Sequence, residues 1–127
     1  MEMVMIENIE FNDHGATIIF SGVITSQEIY EANTAMLTHP DFASLRYQLC
    51  IFQNVSDFQL STNEIMLTAQ RDIEASKINT DVKVAIVTDS TLVYGMGRMY
   101  EAFADESNWQ TEIFWKIEDA HNWLEIT

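Results

Sequence analysis

The chain has 127 residues, 47% of them hydrophobic and 20% charged, with 20 Asp+Glu against 6 Lys+Arg for a formal net charge of -14. This length fits one domain, residues 1–127, built on a single core, and the apolar and aromatic content excludes a disordered chain. The acidic excess disfavours a nucleic acid or an anionic membrane surface as partner, because Arg46, Arg71, Lys77, Lys83, Arg98 and Lys116 are scattered and form no basic patch.

Residues 3–11 predict a strand ending in Ile9-Glu10-Phe11. Asn12-Asp13-His14-Gly15 supplies turn chemistry, with Asn, Asp and Gly tolerating the left-handed conformation, and Ala16 to Phe20 predicts the second strand of a hairpin. Thr25 followed by Glu28 has the spacing of a capping box and opens a helix. Its inner face is marked by Ile29, Ala32, Asn33 and Met36, and Pro40 enforces the stop. Tyr47 to Phe52 is a short, nearly continuous apolar run, the pattern of a strand covered on both faces.

Ser61 with Glu64 forms a second capping box, and Ile65, Met66, Ala69 and Ile73 mark the inner side of the helix it opens. Val82 to Val87 predicts another buried strand ending at Thr88-Asp89-Ser90. Leu92, Val93, Met96, Met99, Tyr100 and Phe103 then trace the apolar stripe of a third helix. Ile113-Phe114-Trp115 predicts a last strand, and Ile117, Ala120, His121 and Leu124 a last helix. The order ββαβαβαβα implies an α/β fold: a mostly parallel five-stranded sheet with right-handed crossovers, an antiparallel edge strand and flanking helices.

Residue patterns that carry chemistry are sparse. His14, His39 and His121 have no i, i+4 pairing, and one Cys makes no thiolate cluster, so no metal and no cofactor are expected. Cys50 lies in Leu49-Cys50-Ile51-Phe52 and reads as a small buried thiol. No nucleophile elbow is present, and the carboxylates fall mostly at turns and on outward helical faces, so an enzyme is not expected. The start of the sequence has neither a basic segment nor an uninterrupted apolar stretch, and no run approaches the roughly 18 apolar residues of a membrane span. A cytoplasmic protein without integral membrane association is the simplest expectation.

Two groups of residues merit attention as sites. In an open parallel sheet, ligands sit outside the carboxyl ends of the strands, where Thr25-Ser26, Ser61-Thr62 and Asp89-Ser90-Thr91 should gather. Their hydroxyls serve as helix caps or, alternatively, frame an anion or a phosphorylation switch. The second group is Gly95-Met96-Gly97-Arg98, preceded by Tyr94. Two glycines inside a helix each cost about 1 kcal/mol, offset either by close packing or by approach to a ligand, with Arg98 free for an anion or paired with Glu101 or Asp105, of which Glu101 is nearer its face. The candidate ligand- or partner-binding residues are therefore Thr25, Ser61, Thr62, Ser90, Tyr94, Gly95, Gly97 and Arg98.

Five segments recur in the same order in the SpoIIAA-like family of small bacterial proteins, also described as STAS/SEC14-like. They are Gly22-Val23-Ile24-Thr25, Pro40-Asp41-Phe42, Asp57-Phe58-Gln59-Leu60-Ser61, Tyr94-Gly95-Met96-Gly97-Arg98-Met99-Tyr100 and Ala120-His121-Asn122-Trp123-Leu124. The chain resembles that family over nearly its whole length, and the resemblance implies a STAS-type fold. Anti-sigma-factor antagonists, for which the family is named, carry a phosphorylatable serine in an Asp-Ser-Ser-Gly-like loop. Its positional counterpart is Ser61-Thr62, where Leu60 stands in place of the aspartate and Asn63 in place of the glycine; Ser61 and Thr62 are the phosphorylation candidates. The Sec14 comparison implies an apolar site for a lipid-like ligand, which a chain this short should hold in a shallow groove or in one shared between subunits. Two functions are thus expected: a non-enzymatic regulatory or protein-interaction module acting as a homodimer, or a binder of a small amphiphilic ligand near the strand ends. Trp109, Trp115, Trp123 and Phe58 are the candidate aromatic anchors for a protein partner, with ordinary core packing the favoured alternative for any one of them.

Overall fold

The computed structural model describes residues 9–126. Five strands, β1 (Ile9–Phe11), β2 (Gly15–Thr25), β3 (Tyr47–Gln59), β4 (Lys83–Thr88) and β5 (Gln110–Phe114), lie side by side in chain order. β1 is antiparallel to β2 and all other pairs are parallel, so the sheet is mixed and the class is α/β. The predicted residues 3–8 of the first strand lie outside the described residues.

Four helices connect and follow the strands: α1 (Ser26–Leu37), α2 (Thr62–Ala75), α3 (Thr91–Phe103) and α4 (Ile117–Leu124). Sequential parallel strands joined by right-handed crossovers must carry their helices on one face. α1, α2 and α3 accordingly share the face presented by Ala16, Ile18, Phe20, Cys50, Phe52, Val84 and Ile86. α4 packs on the other face, where Ala120 and Leu124 meet Tyr47, Leu49, Ala85 and Val87. The two-residue alternation along β3 and β4 thus feeds two separate apolar layers.

Three local features depart from the sequence reading. The Asn12–Gly15 turn contains no left-handed residue. It closes because Asn12 Oδ1 accepts from the His14 and Gly15 backbone N–H groups, and Gly15 is required because a Cβ there would lie 2.5 Å from the Tyr47 ring. β2 and β3 also run much further than Phe20 and Phe52: Phe52 pairs with Thr88 at the end of β4, whereas Thr25 pairs with Gln59. Five more paired positions, Ser21↔Gln53 to Thr25↔Gln59, carry this two-stranded ribbon about 17 Å past β4. The starts of α1 and α2 therefore sit together at the ribbon's end, and the start of α3 is set well back from them.

The ribbon is irregular by design of its sequence. Gly22 and Asn54 have positive φ (69° and 52°), and the register steps from Ser21↔Gln53 to Gly22↔Val55 to Val23↔Asp57. Asn54 and Ser56 are thus extra residues on β3. Such bulges bend a strand and increase its twist. Because there are two of them, the alternation is restored, and Val55 and Phe58 pack on the same core as Phe20 and Phe52.

Candidate functional site

α2 packs chiefly on α3 and α1. Between α2 and β3 lies a cavity of about 90 Å³, several times the roughly 10–15 Å³ that holds one water. The chain length had argued for no more than a shallow groove; a groove of that kind exists separately between α1 and α2, beside Tyr30, Leu67 and Ile78.

The cavity has a polar end and an apolar end, and the topology decides which is which. Helices in βαβ units run back against the strands, so the late residues of α2 and α3 lie beside the early residues of β3. Asp72 and Tyr100 therefore meet Gln48 and Cys50, joined by Asn33 from α1, while Ile65, Val93 and Met96 lie toward Phe58 and Leu60 of the ribbon; all line the cavity. The bend at Gly22 and Asn54 is what brings Phe58 over this apolar end, with its ring centroid 6.3 Å from that of Phe52.

At the polar end each buried hydroxyl and amide nitrogen makes one hydrogen bond. Tyr100 Oη donates to Asp72 Oδ2 at 2.5 Å and Asn33 Nδ2 to Asp72 Oδ1 at 2.7 Å. Gln48 Nε2 donates to Cys50 Sγ at 3.5 Å, and Thr68 Oγ1 turns away to the Glu64 carbonyl. The Asp72 carboxylate dictates the Asn33 orientation, since only the amide NH₂ is compatible with it. Two acceptors are left over: Asn33 Oδ1 and Gln48 Oε1 are buried with no hydrogen-bond partner among the described residues. Asn33, Gln48 and Asp72 are 4%, 7% and 3% exposed, where an unmet polar atom carries a penalty of about 1–3 kcal/mol.

Burial pushes the Asp72 carboxyl up to about 6, against the opposing effects of the Tyr100 and Asn33 hydrogen bonds and the nearby charge of Arg71. Burial likewise raises the Tyr100 hydroxyl, with the Asp72 charge adding to it. The Cys50 thiol is pushed up to about 12 by burial, and the hydrogen bond from Gln48 offsets only part of this. A thiol so protonated is a packing group and not a nucleophile.

The residues singled out from the sequence fall in several places. Thr25, Ser61 and Ser90 act as N-caps, accepting from the backbone N–H groups of Glu28, Glu64 and Val93. Ser61 completes its box through Glu64, whose carboxylate is held below its ordinary range first by the Ser61 N–H. Thr62 is exposed in the first turn of α2. Gly97 does line the cavity and is packed so that a Cβ would meet Ile113 Cδ1 at 3.2 Å, whereas nothing lies within 4 Å of such an atom at Gly95. Tyr94 stacks on Trp115, centroids 4.2 Å apart, and Arg98 pairs with Glu101 at 3.5 Å. None of Tyr94, Gly95 or Arg98 lines the cavity.

Of the four candidate aromatic anchors, Trp109 follows the core alternative: it is buried and its indole N–H donates to the Asn79 carbonyl. Trp115 is 49% exposed, Trp123 on α4 packs against Phe114 of β5, and Phe58 belongs to the cavity wall. Asp72 and Gln48 were not singled out. Their signal was positional: Asp72 falls seven residues after Ile65 on the inner face of α2, and Gln48 interrupts the apolar run of β3.

No cluster of three or more His, Cys, Asp or Glu side chains is placed to hold a metal among the described residues, and no helix among them is long and apolar enough to cross a membrane. In comparison with known proteins, the chain matches no protein-family model, no curated protein and no solved structure.

Proposed function

We propose that this chain is a cytoplasmic, non-enzymatic binding domain of the SpoIIAA-like, STAS-type kind, and that it holds a small amphiphile in the cavity beneath α2. The observation that carries the proposal is the cavity's polarity: an apolar chamber closed at one end by polar side chains that converge from four elements and retain two unmet acceptors. Pockets of mostly apolar lining with a few placed polar groups are the usual form of a small-molecule site. The raised Cys50 thiol speaks for binding over nucleophilic turnover. The SpoIIAA-like assignment draws its support from the five ordered segments and from an element order and mixed sheet compatible with it.

Native mass spectrometry of protein purified without detergent tests the pocket. A copurifying small molecule that is lost in Ala32→Leu, which fills the cavity from α1, is the expected result. Repeatedly ligand-free spectra count against it.

A second reading, a protein-interaction module that forms a homodimer, is favoured by the α1–α2 surface. Tyr30, Leu67 and Ile78 are exposed there, flanked by Arg71 and Lys77 as well as Glu31, Glu64 and Glu74. An apolar patch rimmed by both signs of charge suits the self-complementarity that a two-fold interface demands. Light scattering at micromolar concentration should give twice the chain mass, and a strictly monomeric mass excludes this second reading.

A further inference from the structure

Resting on the pocket proposed above, we propose that the ligand's head group is a hydrogen-bond donor of positive charge, a primary or secondary ammonium on a short apolar body, held between Asp72, Asn33 and Gln48. The donor–acceptor census at the polar end supplies the reason. The hydroxyl of Tyr100 and the amide nitrogens of Asn33 and Gln48 are already directed at protein acceptors. The atoms without a partner, Asn33 Oδ1 and Gln48 Oε1, are both acceptors in side chains more than nine-tenths buried. A carboxylate or phosphate head brings only further acceptors and a like charge beside Asp72. An alcohol brings one donor. An ammonium brings two or three, and it is the only one of these heads that also meets the buried carboxylate with opposite charge.

Burying an ion pair is unfavourable when both charges must leave water at the moment of binding. Here Asp72 is desolvated on folding, so only the ligand's own desolvation opposes association. Charged groups facing Asp72 from the surrounding elements are few. Arg71, its neighbour on α2, is directed elsewhere: its guanidinium lies 4.3 Å above the Tyr30 ring and donates to Thr34 Oγ1. Tyr100 on α3 and Cys50 on β3 are protonated at neutral pH, both raised by burial, and Asn33 on α1 and Gln48 on β3 are neutral. No cation within the cavity lining competes for the carboxylate. The other end of the cavity, at Phe58, Leu60, Val93 and Met96, receives the apolar body.

The test compares n-hexylamine, 1-hexanol and hexanoate, three probes with similar chains and different heads, by calorimetry with the full chain at about pH 7.5, where Asp72 is ionised and the amine protonated. Hexylamine is expected to bind at least about tenfold more tightly than hexanol, with hexanoate weakest. Lowering the pH through about 6 should weaken hexylamine as Asp72 takes up its proton and leave hexanol unchanged. Asp72→Asn should abolish the amine's advantage over the alcohol; if that variant does not fold, the pH profile of the unaltered protein decides the matter. Hexanol or hexanoate binding as well as hexylamine overturns the head-group assignment and leaves the pocket standing. Failure of all three to bind overturns the pocket itself, and the head-group assignment with it.

Discussion

Two clusters of buried polar side chains sit in this small domain, and they differ in one respect. Around Asn79, below the helix layer, every polar atom has a partner. Asn79 Nδ2 donates to the Phe42 and Leu45 carbonyls, its Oδ1 accepts from the Asp81 N–H and from Arg46, and its own carbonyl accepts from Trp109. Around Asp72 each amide nitrogen and the Tyr100 hydroxyl already makes a bond, and two acceptors have no partner among the described residues. The first cluster ties the connections around β3 and β4 to each other. The second borders a cavity. A fully satisfied network stabilises a fold, whereas a partly satisfied one beside a cavity is suited to a ligand that completes it.

The comparison should break most visibly at Asn79. Asn79→Ala keeps the backbone carbonyl that accepts from Trp109 but leaves the Phe42 and Leu45 carbonyls and the Asp81 N–H without their side-chain partner, and a loss of about 3–5 kcal/mol is expected in urea unfolding. A loss below about 1 kcal/mol would remove the distinction between the clusters.

Next in size is a pH effect from Asp72. Its folded-state value of about 6 lies above its ordinary value of 3.8, so the folded protein binds the proton more tightly. Its contribution is therefore fully present below about pH 4 and is lost as pH rises through 6, a decline of about 3 kcal/mol in unfolding free energy. The other carboxylates of a chain with net charge -14 also respond to pH, so the informative quantity is the difference from Asp72→Asn, which should lack this component between pH 4 and 6.

Gln48→Met should act in the direction opposite to Asn79→Ala. It removes an unpartnered buried oxygen and forfeits only a weak contact to Cys50, so thermal unfolding should show a gain of about 1 kcal/mol together with loss of ligand binding. A clear destabilisation would mean that Gln48 has a structural role. As a control remote from both clusters, Gly95→Ala places a methyl group where nothing lies within 4 Å and should stabilise α3 by about 0.5–1 kcal/mol without altering binding.

Much of the frame was legible in local sequence. The capping box of Ser61 and Glu64, the inward stripe of α1 and the doubly covered run Tyr47–Phe52 are all consequences of periodicity and short-range chemistry, and the structure contains each of them. Asn33 was even placed on the inner face of α1. The length of the β2–β3 ribbon was not legible, because its bulges at Asn54 and Ser56 break the two-residue alternation by which a strand is recognised. Gly15 was read as a turn residue because its neighbours are Asn, Asp and His; only the position of the Tyr47 ring shows why a side chain is excluded there.

By itself, then, the amino-acid sequence determined the order of elements, the hydroxyl caps Thr25, Ser61 and Ser90 and the inner faces of α1 and α2, since these depend on residues a few positions apart. The Thr25–Glu28 box is not completed, and Leu92 of the expected α3 stripe is exposed. The tertiary structure alone decided that Asn33, Gln48, Asp72 and Tyr100 meet. They come from α1, β3, α2 and α3, and their convergence depends on three crossovers of one hand placing three helices on one face of the sheet. Whether a buried polar atom finds a partner is settled by that long-range placement, and the two atoms it leaves unpartnered are those on which the proposed function rests.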